Sequence, residues 1–325
     1  MFSHFHDILC FSSRSLTHYI FKMQMDKSRS PFLPYEATDI NDPLVLPYQK
    51  EINESPETRA RCLELLRQEL KNAKDLDPCL DDDFLLQFLR VSKFDAKKAF
   101  KRLQTYYQQY DVLLDAYEKC SIPLHKAQSF NHLFFSPYRL KNNSLLLIVK
   151  NKPVDYRKCT FGERFYLELL TQYNLIIETP LNQICGATFL FDFDGFDIHA
   201  LLAWTPGWLR TSINFSVNSA PLRVKAMHVV NAPPIFSYIY NMVKLLFPKK
   251  IRERLFLHSR NDGWQNLHAS ISADILPKQY GGNICDENLI RCLENVEEME
   301  RKFLKSFAFG SIKNQHRRKS MKVIC

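Results

Sequence analysis

A helix with apolar residues on several of its faces is predicted between Pro234 and Pro248. Its main apolar stripe follows the helical spacing i, i+1, i+4, i+7, i+8 and i+11 and consists of Ile235, Phe236, Ile239, Met242, Val243 and Leu246. Pro248 ends the helix, and cations follow at Lys249, Lys250, Arg252 and Arg254. Two interpretations stay open at this point. The helix is either a movable lid over an apolar cavity with phosphate-binding cations at its hinge, or a core helix beside a solvated basic turn.

Three short helices are predicted ahead of this stretch, each starting at a polar N-cap. Ser55, Asp81 and Asp95 precede runs whose apolar residues recur at helical spacing. Short connections between these runs indicate a small helical bundle over residues 55–117. Four prolines in residues 31–54 predict an extended lead-in, so residues 1–54 are expected to be a disordered extension that ends in this lead-in.

Beyond the bundle, short apolar runs alternate with amphipathic runs. Strands are predicted over residues 144–150, 186–195, 224–230 and 254–258, and helices over residues 164–178, 197–204 and 208–218. This alternation predicts an α/β layer with a mostly parallel sheet at residues 118–285. A last helix is expected over residues 286–307, so that residues 286–325 form a C-terminal helix and a basic tail.

The strand predicted over residues 186–195 has an aromatic face. Strand alternation places Ala187, Phe189 and Phe191 on one side of it. That side is either filled core or the floor of a cavity, and the pattern alone allows both.

Composition and charge narrow the class of partner. The 325 residues are 46% hydrophobic and include 25 Phe, so a packed aromatic interior is expected. Residues 301–325 hold eight cations and no acid, which leaves the rest of the chain nearly neutral although the whole carries +9. This argues against a nucleic-acid-binding face and favours contact with an anionic surface at one or two places. The nine Cys form no C-x-x-C pair and indicate reduced thiols in a cytosolic protein, without a metal site.

Motifs of common enzymes are missing from the sequence. None of the eight Gly belongs to a phosphate-binding glycine loop, and no G-x-S-x-G elbow occurs. Asp192, Asp194 and Asp197 form the one tight acidic group, and their place at a strand end before Gly195 favours turn and cap roles over metal or acid–base chemistry. A binding role is therefore favoured over an enzymatic one.

Four ordered motifs between residues 55 and 283 resemble the CRAL-TRIO lipid-binding family. They are DDDFLLQFLRVSKFD, GATFLFDFDGF, PLRVKAMHVVNAPPIFSYIYNMVKLLFPKKIRER and DILPKQYGG. The chain looks most similar to the animal branch that contains alpha-tocopherol transfer protein, cellular retinaldehyde-binding protein and the clavesins. The resemblance implies a helical N-terminal domain, an α/β domain whose cavity holds one hydrophobic lipid, and a gate helix within residues 234–254. It implies no cofactor besides the lipid.

The resemblance also implies a basic cleft that binds phosphatidylinositol bisphosphate beside the gate. The matching positions are Arg223, Lys244, Lys250 and Arg254, and all four are basic. One position departs from the branch, because Ser92 stands where a further Arg is common and Lys93 follows it. This cation is therefore shifted or lost.

The cavity positions implied by the resemblance lie on two predicted helices, on two predicted strands, just before the second strand, and on the gate. They are Tyr166, Leu169, Tyr173, Ala187, Phe189, Phe191, Phe215, Ser216, Leu222, Met227, Ile239, Met242, Val243 and Phe247. For each of them, ordinary core packing is the alternative to contact with a ligand.

We interpret the chain as an intracellular, non-enzymatic carrier of one tocopherol-, retinoid- or phospholipid-like molecule. It is expected to be a monomer in the cytoplasm that associates transiently and peripherally with membranes bearing phosphatidylinositol bisphosphate. A phosphoinositide-binding adaptor in endosomal traffic is the alternative. An enzyme acting through Asp192 or Asp194 is a third interpretation.

Overall fold

The computed structural model describes residues 32–118, 130–234, 236–306 and 308–315. The extension expected over residues 1–31 and the end of the basic tail lie outside these ranges.

The three helices of the predicted bundle are confirmed. They are α2 (Pro56–Asn72), α3 (Asp82–Val91) and α4 (Ala96–Glu118), and α1 (Leu46–Glu51) precedes them. The side chains of Ser55, Asp81 and Asp95 accept hydrogen bonds from backbone N–H groups in the first turns of α2, α3 and α4. Each predicted cap therefore satisfies a donor that the helix itself leaves unpaired.

The stretch before the bundle differs from the extended lead-in that its prolines predict. Residues 46–51 form α1, and Val45 and Ile52 on either side of it are fully buried. Pro47 stands in the first turn of α1, where its missing N–H would have no helical partner in any case. The prolines are therefore compatible with a short helix whose flanking residues are part of the core.

The predicted α/β architecture with a mostly parallel sheet is confirmed. Six strands lie in the order β6 (Leu255–Leu257), β5 (Val224–Val230), β4 (Ala187–Asp192), β3 (Leu145–Lys150), β2 (Leu133–Phe135) and β7 (Ile290–Arg291). The neighbours from β3 to β6 are parallel, whereas β2 and β7 add an antiparallel edge. Two-residue strands β1 (Leu76–Asp77) and β8 (Gly310–Ser311) pair separately. The sequence pattern missed the short strands β2 and β7.

Eight further helices occur in the described ranges of the chain. They are α5 (Phe161–Thr171), α6 (Pro180–Cys185), α7 (Ile198–Ala203), α8 (Pro206–Ile213), α9 (Phe236–Leu246), α10 (Lys249–Arg252), α11 (Gln265–His268) and α12 (Val296–Ser306). Two of them continue as π-helical turns, α5 into Gln172–Ile177 and α8 into Asn214–Ser219.

The last helix begins later than its predicted start at residue 286. Residues 286–288 form a 3₁₀ turn, and β7 follows before α12 starts at Val296. Pairing with β2 at the edge of the sheet takes up the residues that the pattern assigned to helix. The domain limits at residues 54, 117 and 285 stay predictions, since one continuous apolar core runs from the bundle into the sheet.

The acidic group at the end of β4 has the turn and cap roles that the sequence favoured. Asp197 caps α7 by accepting the N–H of Ala200 at 3.0 Å. Asp192 accepts hydrogen bonds from Asn231 Nδ2 at 2.8 Å and from Tyr280 Oη at 2.7 Å. Through these hydrogen bonds the two carboxylates stabilise the fold.

A buried arginine on α3 joins the lead-in, the bundle and the α/β layer. Arg90 is 4% exposed, and its Nε and Nη2 donate to Glu54 Oε1 at 3.0 and 2.9 Å. Its Nη1 donates to the side-chain oxygen of Gln183 on α6. Glu54 also accepts from Arg59 at 2.7 Å. A buried charge held by several hydrogen bonds fixes geometry, and losing one partner leaves the other uncompensated.

Glu54→Ala is therefore expected to lower the free energy of unfolding by about 3–5 kcal/mol, because Arg90 stays buried without its counter-ion. Urea denaturation measures the effect. The exposed Glu64 on α2 offers a control, and Glu64→Ala is expected to change stability by less than about 0.5 kcal/mol. Equal midpoints for the two variants would contradict the role of the pair.

Candidate functional site

An apolar cavity of about 170 Å³ lies between strands β4 and β5 and the helices α5, α8 and α9. Six of the predicted cavity residues line it: Phe189, Phe191, Ser216, Leu222, Met227 and Phe247. Most of the remaining wall is also aromatic or aliphatic. A lining of this kind, interrupted by few polar groups, is typical of sites for hydrophobic small molecules.

The aromatic face of β4 is the floor of this cavity. The rings of Phe189 and Phe191 stack with their centroids 5.9 Å apart. Ala187, on the same side of the strand, lies in the core instead of on the cavity wall. Two of the three residues on that side therefore face the cavity. Of the two interpretations that the pattern allowed, filled core or cavity floor, this side of the strand is mostly cavity floor.

Four other predicted cavity residues lie away from it. Tyr166 donates its hydroxyl to Glu300 Oε1 at 2.8 Å, and the ring of Tyr173 packs edge-on against Phe303 at 5.4 Å, so both face α12. Leu169 is fully buried in the core, and Phe215 packs on the ring of Tyr106 at 5.8 Å. The side chains of Ile239, Met242 and Val243 lie outside the described part of the chain.

The face of α5 that lines the cavity is one residue out of phase with the predicted one. Arg164, Phe165, Glu168 and Gln172 line the cavity, not the positions at 166, 169 and 173. Nearly all of α5 is buried, so its apolar pattern does not distinguish the side that meets α12 from the side that meets the cavity. The π-helical turns after α5 and α8 also change the angular step per residue.

A polar stripe on α5 crosses the otherwise apolar cavity wall. Arg164, Glu168 and Gln172 follow the i, i+4 spacing, and this was the sequence signal that could have identified the correct face. Arg164 Nε donates to Glu168 Oε1 at 2.9 Å. Burial raises the pKa of Glu168, against the opposing attraction of Arg164. Gln172 is 6% exposed, and its Oε1 has no hydrogen-bond partner among the described residues.

We expect Gln172→Met to stabilise the ligand-free protein by about 1–3 kcal/mol, because it replaces a buried, unpaired acceptor with an apolar chain of similar length. Urea denaturation of delipidated protein measures the change. Gln68→Met, at an exposed position of α2, is the matched control. A loss of stability in Gln172→Met would show that this amide is satisfied in the empty protein.

A second, basic cleft adjoins the cavity. Its cations are Lys93, Arg102, Arg223, Lys225, Lys250 and Arg254. Three of the four predicted cleft residues come together there, namely Arg223, Lys250 and Arg254. Lys244 does not line the cleft, and its Nζ lies 5.5 Å from the ring of Tyr240. Sequence reasoning missed Arg102 on α4 and Lys225 on β5, which only the tertiary fold brings to this place.

Backbone oxygens hold the guanidinium groups of the cleft in position. Arg254 donates to the carbonyl of Val224, and Arg223 donates to the carbonyl of Ile184. Arg102 Nη2 donates to the carbonyl of Val217 at 3.2 Å, and burial lowers its pKa to about 10. Burial and then the neighbouring Arg254 lower the pKa of Lys250. Cations that lower one another's pKa repel each other, and a bound anion would relieve this repulsion.

Comparisons with known proteins identify the family. Residues 130–282 match the model of the CRAL/TRIO domain. Clavesin-1 of Xenopus laevis is 30% identical over 243 residues, which make up 72% of this chain and 71% of that protein. The chain belongs to the CRAL/TRIO family. The family resemblance seen in the sequence motifs is thereby confirmed, and it places the chain among lipid-binding transfer proteins.

Other relatives of this CRAL/TRIO chain are similar at comparable levels. The alpha-tocopherol transfer protein-like protein of Homo sapiens is 29% identical over 259 residues, covering 78% of this chain and 73% of that protein. The crystal structure of Sfh5 aligns with 78% of this chain and 99% of its own chain, with a TM-score of 0.44 and 12% sequence identity.

A cation lies in the cleft next to the position where the sequence motif departs from its branch. Ser92 ends α3, and Lys93 after it lines the basic cleft. Lys93 and Phe94 both have positive φ, at 56° and 59°, which is uncommon for residues other than glycine. The turn thus brings the next residue in sequence to the cleft.

Exposed aliphatic side chains lie on two helices near the cavity. Leu202 on α7 is 70% exposed and Leu245 on α9 is 75% exposed. The two helices pack around a shared aromatic cluster that includes Phe196 and Phe236. Within the part of the chain that the structure describes, no helix has the length and apolar character needed to cross a bilayer.

Proposed function

We propose that the chain carries one hydrophobic lipid in the cavity and transfers it at membranes bearing phosphatidylinositol bisphosphate. The observation that carries this proposal is a common wall, because Val217, Leu222 and Val224 line both the cavity and the basic cleft. A headgroup bound in the cleft would therefore lie against the residues that contact the lipid. Transfer of this kind includes no chemical step, so it needs neither a catalytic residue nor a cofactor.

The size of the cavity supports a gate that moves. Burial of a lipid chain gains about 0.8 kcal/mol per CH₂, so a dry cavity is needed to hold one in water. The 170 Å³ cavity is below the volume of about 300–1,000 Å³ that ligand pockets usually have, so uptake requires wall residues to move. Tyr240 and Phe247 on and after α9 are part of that wall.

The hinge of this gate lies between α9 and α10. Pro248 separates the two helices and caps α10, which carries Lys250 into the cleft. Binding of a phosphate by Lys250 would therefore act on the segment that ends the gate helix. The protein would act as a cytoplasmic monomer that attaches peripherally and transiently to the membrane.

Lys250→Gln is expected to weaken binding to vesicles containing phosphatidylinositol bisphosphate about fivefold, since each cation near an anionic leaflet contributes about 1 kcal/mol. Vesicle co-sedimentation at fixed salt measures the affinity. Lys249→Gln removes the same charge from an exposed neighbour that does not line the cleft. Equal losses of affinity for both variants would show that the cleft binds the membrane only through general surface charge.

The exposed leucines are expected to enter the membrane surface. Combining Leu202→Ser with Leu245→Ser should weaken vesicle binding whether or not phosphoinositide is present, because the effect comes from lost apolar burial. Leu65→Ser together with Leu80→Ser, on exposed side chains of the bundle region, is the control. The same co-sedimentation assay applies. If the double variant lost affinity only for vesicles that contain phosphoinositide, these side chains would have another role.

An adaptor for phosphoinositide membranes is the second candidate, favoured by the small volume of the cavity. Native mass spectrometry of the purified protein followed by lipid extraction separates the two. One hydrophobic molecule per chain, released faster to vesicles with phosphatidylinositol bisphosphate, supports the carrier. A chain that holds no lipid and takes up no retinoid, tocopherol or phospholipid contradicts it and leaves the adaptor.

A further inference from the structure

A carboxylate stands inside the basic cleft. Glu51, the last residue of α1, is the only acid among the described residues that line it. Its Oε1 lies 2.9 Å from Arg223 Nη2 and 3.4 Å from Lys93 Nζ, and its Oε2 lies 3.0 Å from Lys225 Nζ. Both oxygens of the carboxylate are thus engaged by cations, as two oxygens of a bound phosphate would be.

The electrostatics of Glu51 confirm that it is held as an anion. Partial burial acts to raise its pKa, but the hydrogen bond and charge of Lys225, with the charges of Arg223 and Lys93, lower it to about 2. The side chain nevertheless keeps 40% of its surface exposed. The carboxylate is therefore accessible from solvent to an incoming anion.

The cations of the cleft fall into two groups. Lys93, Arg223 and Lys225 are paired with Glu51. Arg102, Lys250 and Arg254 form no ion pair within the described parts of the chain, although all three line the same cleft. One phosphate could bind to the unpaired cations with Glu51 in place, whereas a second phosphate on the same headgroup must compete with the carboxylate for the paired ones.

We propose that Glu51 is a selectivity residue that competes with the second phosphate of an inositol lipid headgroup. It limits the affinity for the bisphosphate more than the affinity for the monophosphate, and so keeps attachment to the membrane reversible. The inference rests on the proposed function, because it takes the cleft to be the headgroup site. It assigns a role to α1, which lies outside the residues 130–282 that match the family domain.

Glu51→Gln tests the proposal on vesicles that contain either phosphatidylinositol monophosphate or phosphatidylinositol bisphosphate at matched mole fraction. The expected result is about tenfold tighter binding to the bisphosphate vesicles and less than about threefold to the monophosphate vesicles, because a charge-assisted contact is gained only in the first case. Glu36→Gln, at an exposed position of the same lead-in outside the cleft, gives the same change in net charge.

A second variant separates position from charge. Glu51→Asp keeps the net charge but withdraws the carboxylate by one methylene, so it should shift selectivity in the same direction by a smaller factor. Titration calorimetry with soluble inositol trisphosphate, and separately with inorganic phosphate, distinguishes headgroup recognition from attraction to the membrane or to any anion. Glu51→Gln should tighten inositol trisphosphate binding and leave inorganic phosphate within about twofold.

The outcomes that overturn this inference differ from those that overturn the carrier. Equal gains on both kinds of vesicle, or equal gains for Glu51→Gln and Glu36→Gln, would reduce Glu51 to general charge. Those results leave the cleft intact as a headgroup site if Lys250→Gln still weakens binding. If Lys250→Gln has no effect, the headgroup site itself fails. Circular dichroism and thermal unfolding of each variant confirm that the compared proteins are folded.

Discussion

Both candidate sites depend on one layer of side chains that separates an apolar cavity from a charged cleft. Val217, Leu222 and Val224 form this wall, with aromatic rings on one side and cations on the other. A charge near an apolar interior is costly unless hydrogen bonds compensate it. Arg223, Arg254 and Arg102 satisfy that condition by donating to backbone carbonyls. Two of these carbonyls, those of Val217 and Val224, belong to the wall itself.

The same wall would couple the two proposed sites mechanically. β5 supplies residues to both, and β6 beside it follows directly after α10 and Arg254. A shift of α10 toward a bound anion would pull on the short connection around Pro248 that ends the gate helix. Coupling of this kind needs no long pathway, because cargo and headgroup would contact opposite sides of the same few side chains.

Local features of the fold could be predicted from the sequence, and long-range features could not. The caps at Ser55, Asp81 and Asp95 and the alternation along β4 depend on neighbouring residues, so they appear in the pattern. The cavity face of α5 depends on where α12 packs, and two π-helical turns shift the phase around Tyr173 and Phe215. Arg102 and Lys225 reach the cleft only because α4 and β5 meet there. The lead-in that carries Glu51 looked extended because its prolines masked a short helix.

Gln172 and Glu51, at the two candidate sites, are among the described residues that depart from the rule that a buried or crowded polar group has balanced partners. Among the described residues, Gln172 Oε1 has no hydrogen-bond partner beside the cavity, whereas Glu51 occupies a place that an external anion could fill. A protein selected only for stability would replace the first and has no need of the second. A carrier must hold its ligands and then release them. Under the proposed function, an unpaired acceptor beside the cavity would favour loading and a competing carboxylate in the cleft would favour departure from the membrane, so each would serve one half of the transfer cycle.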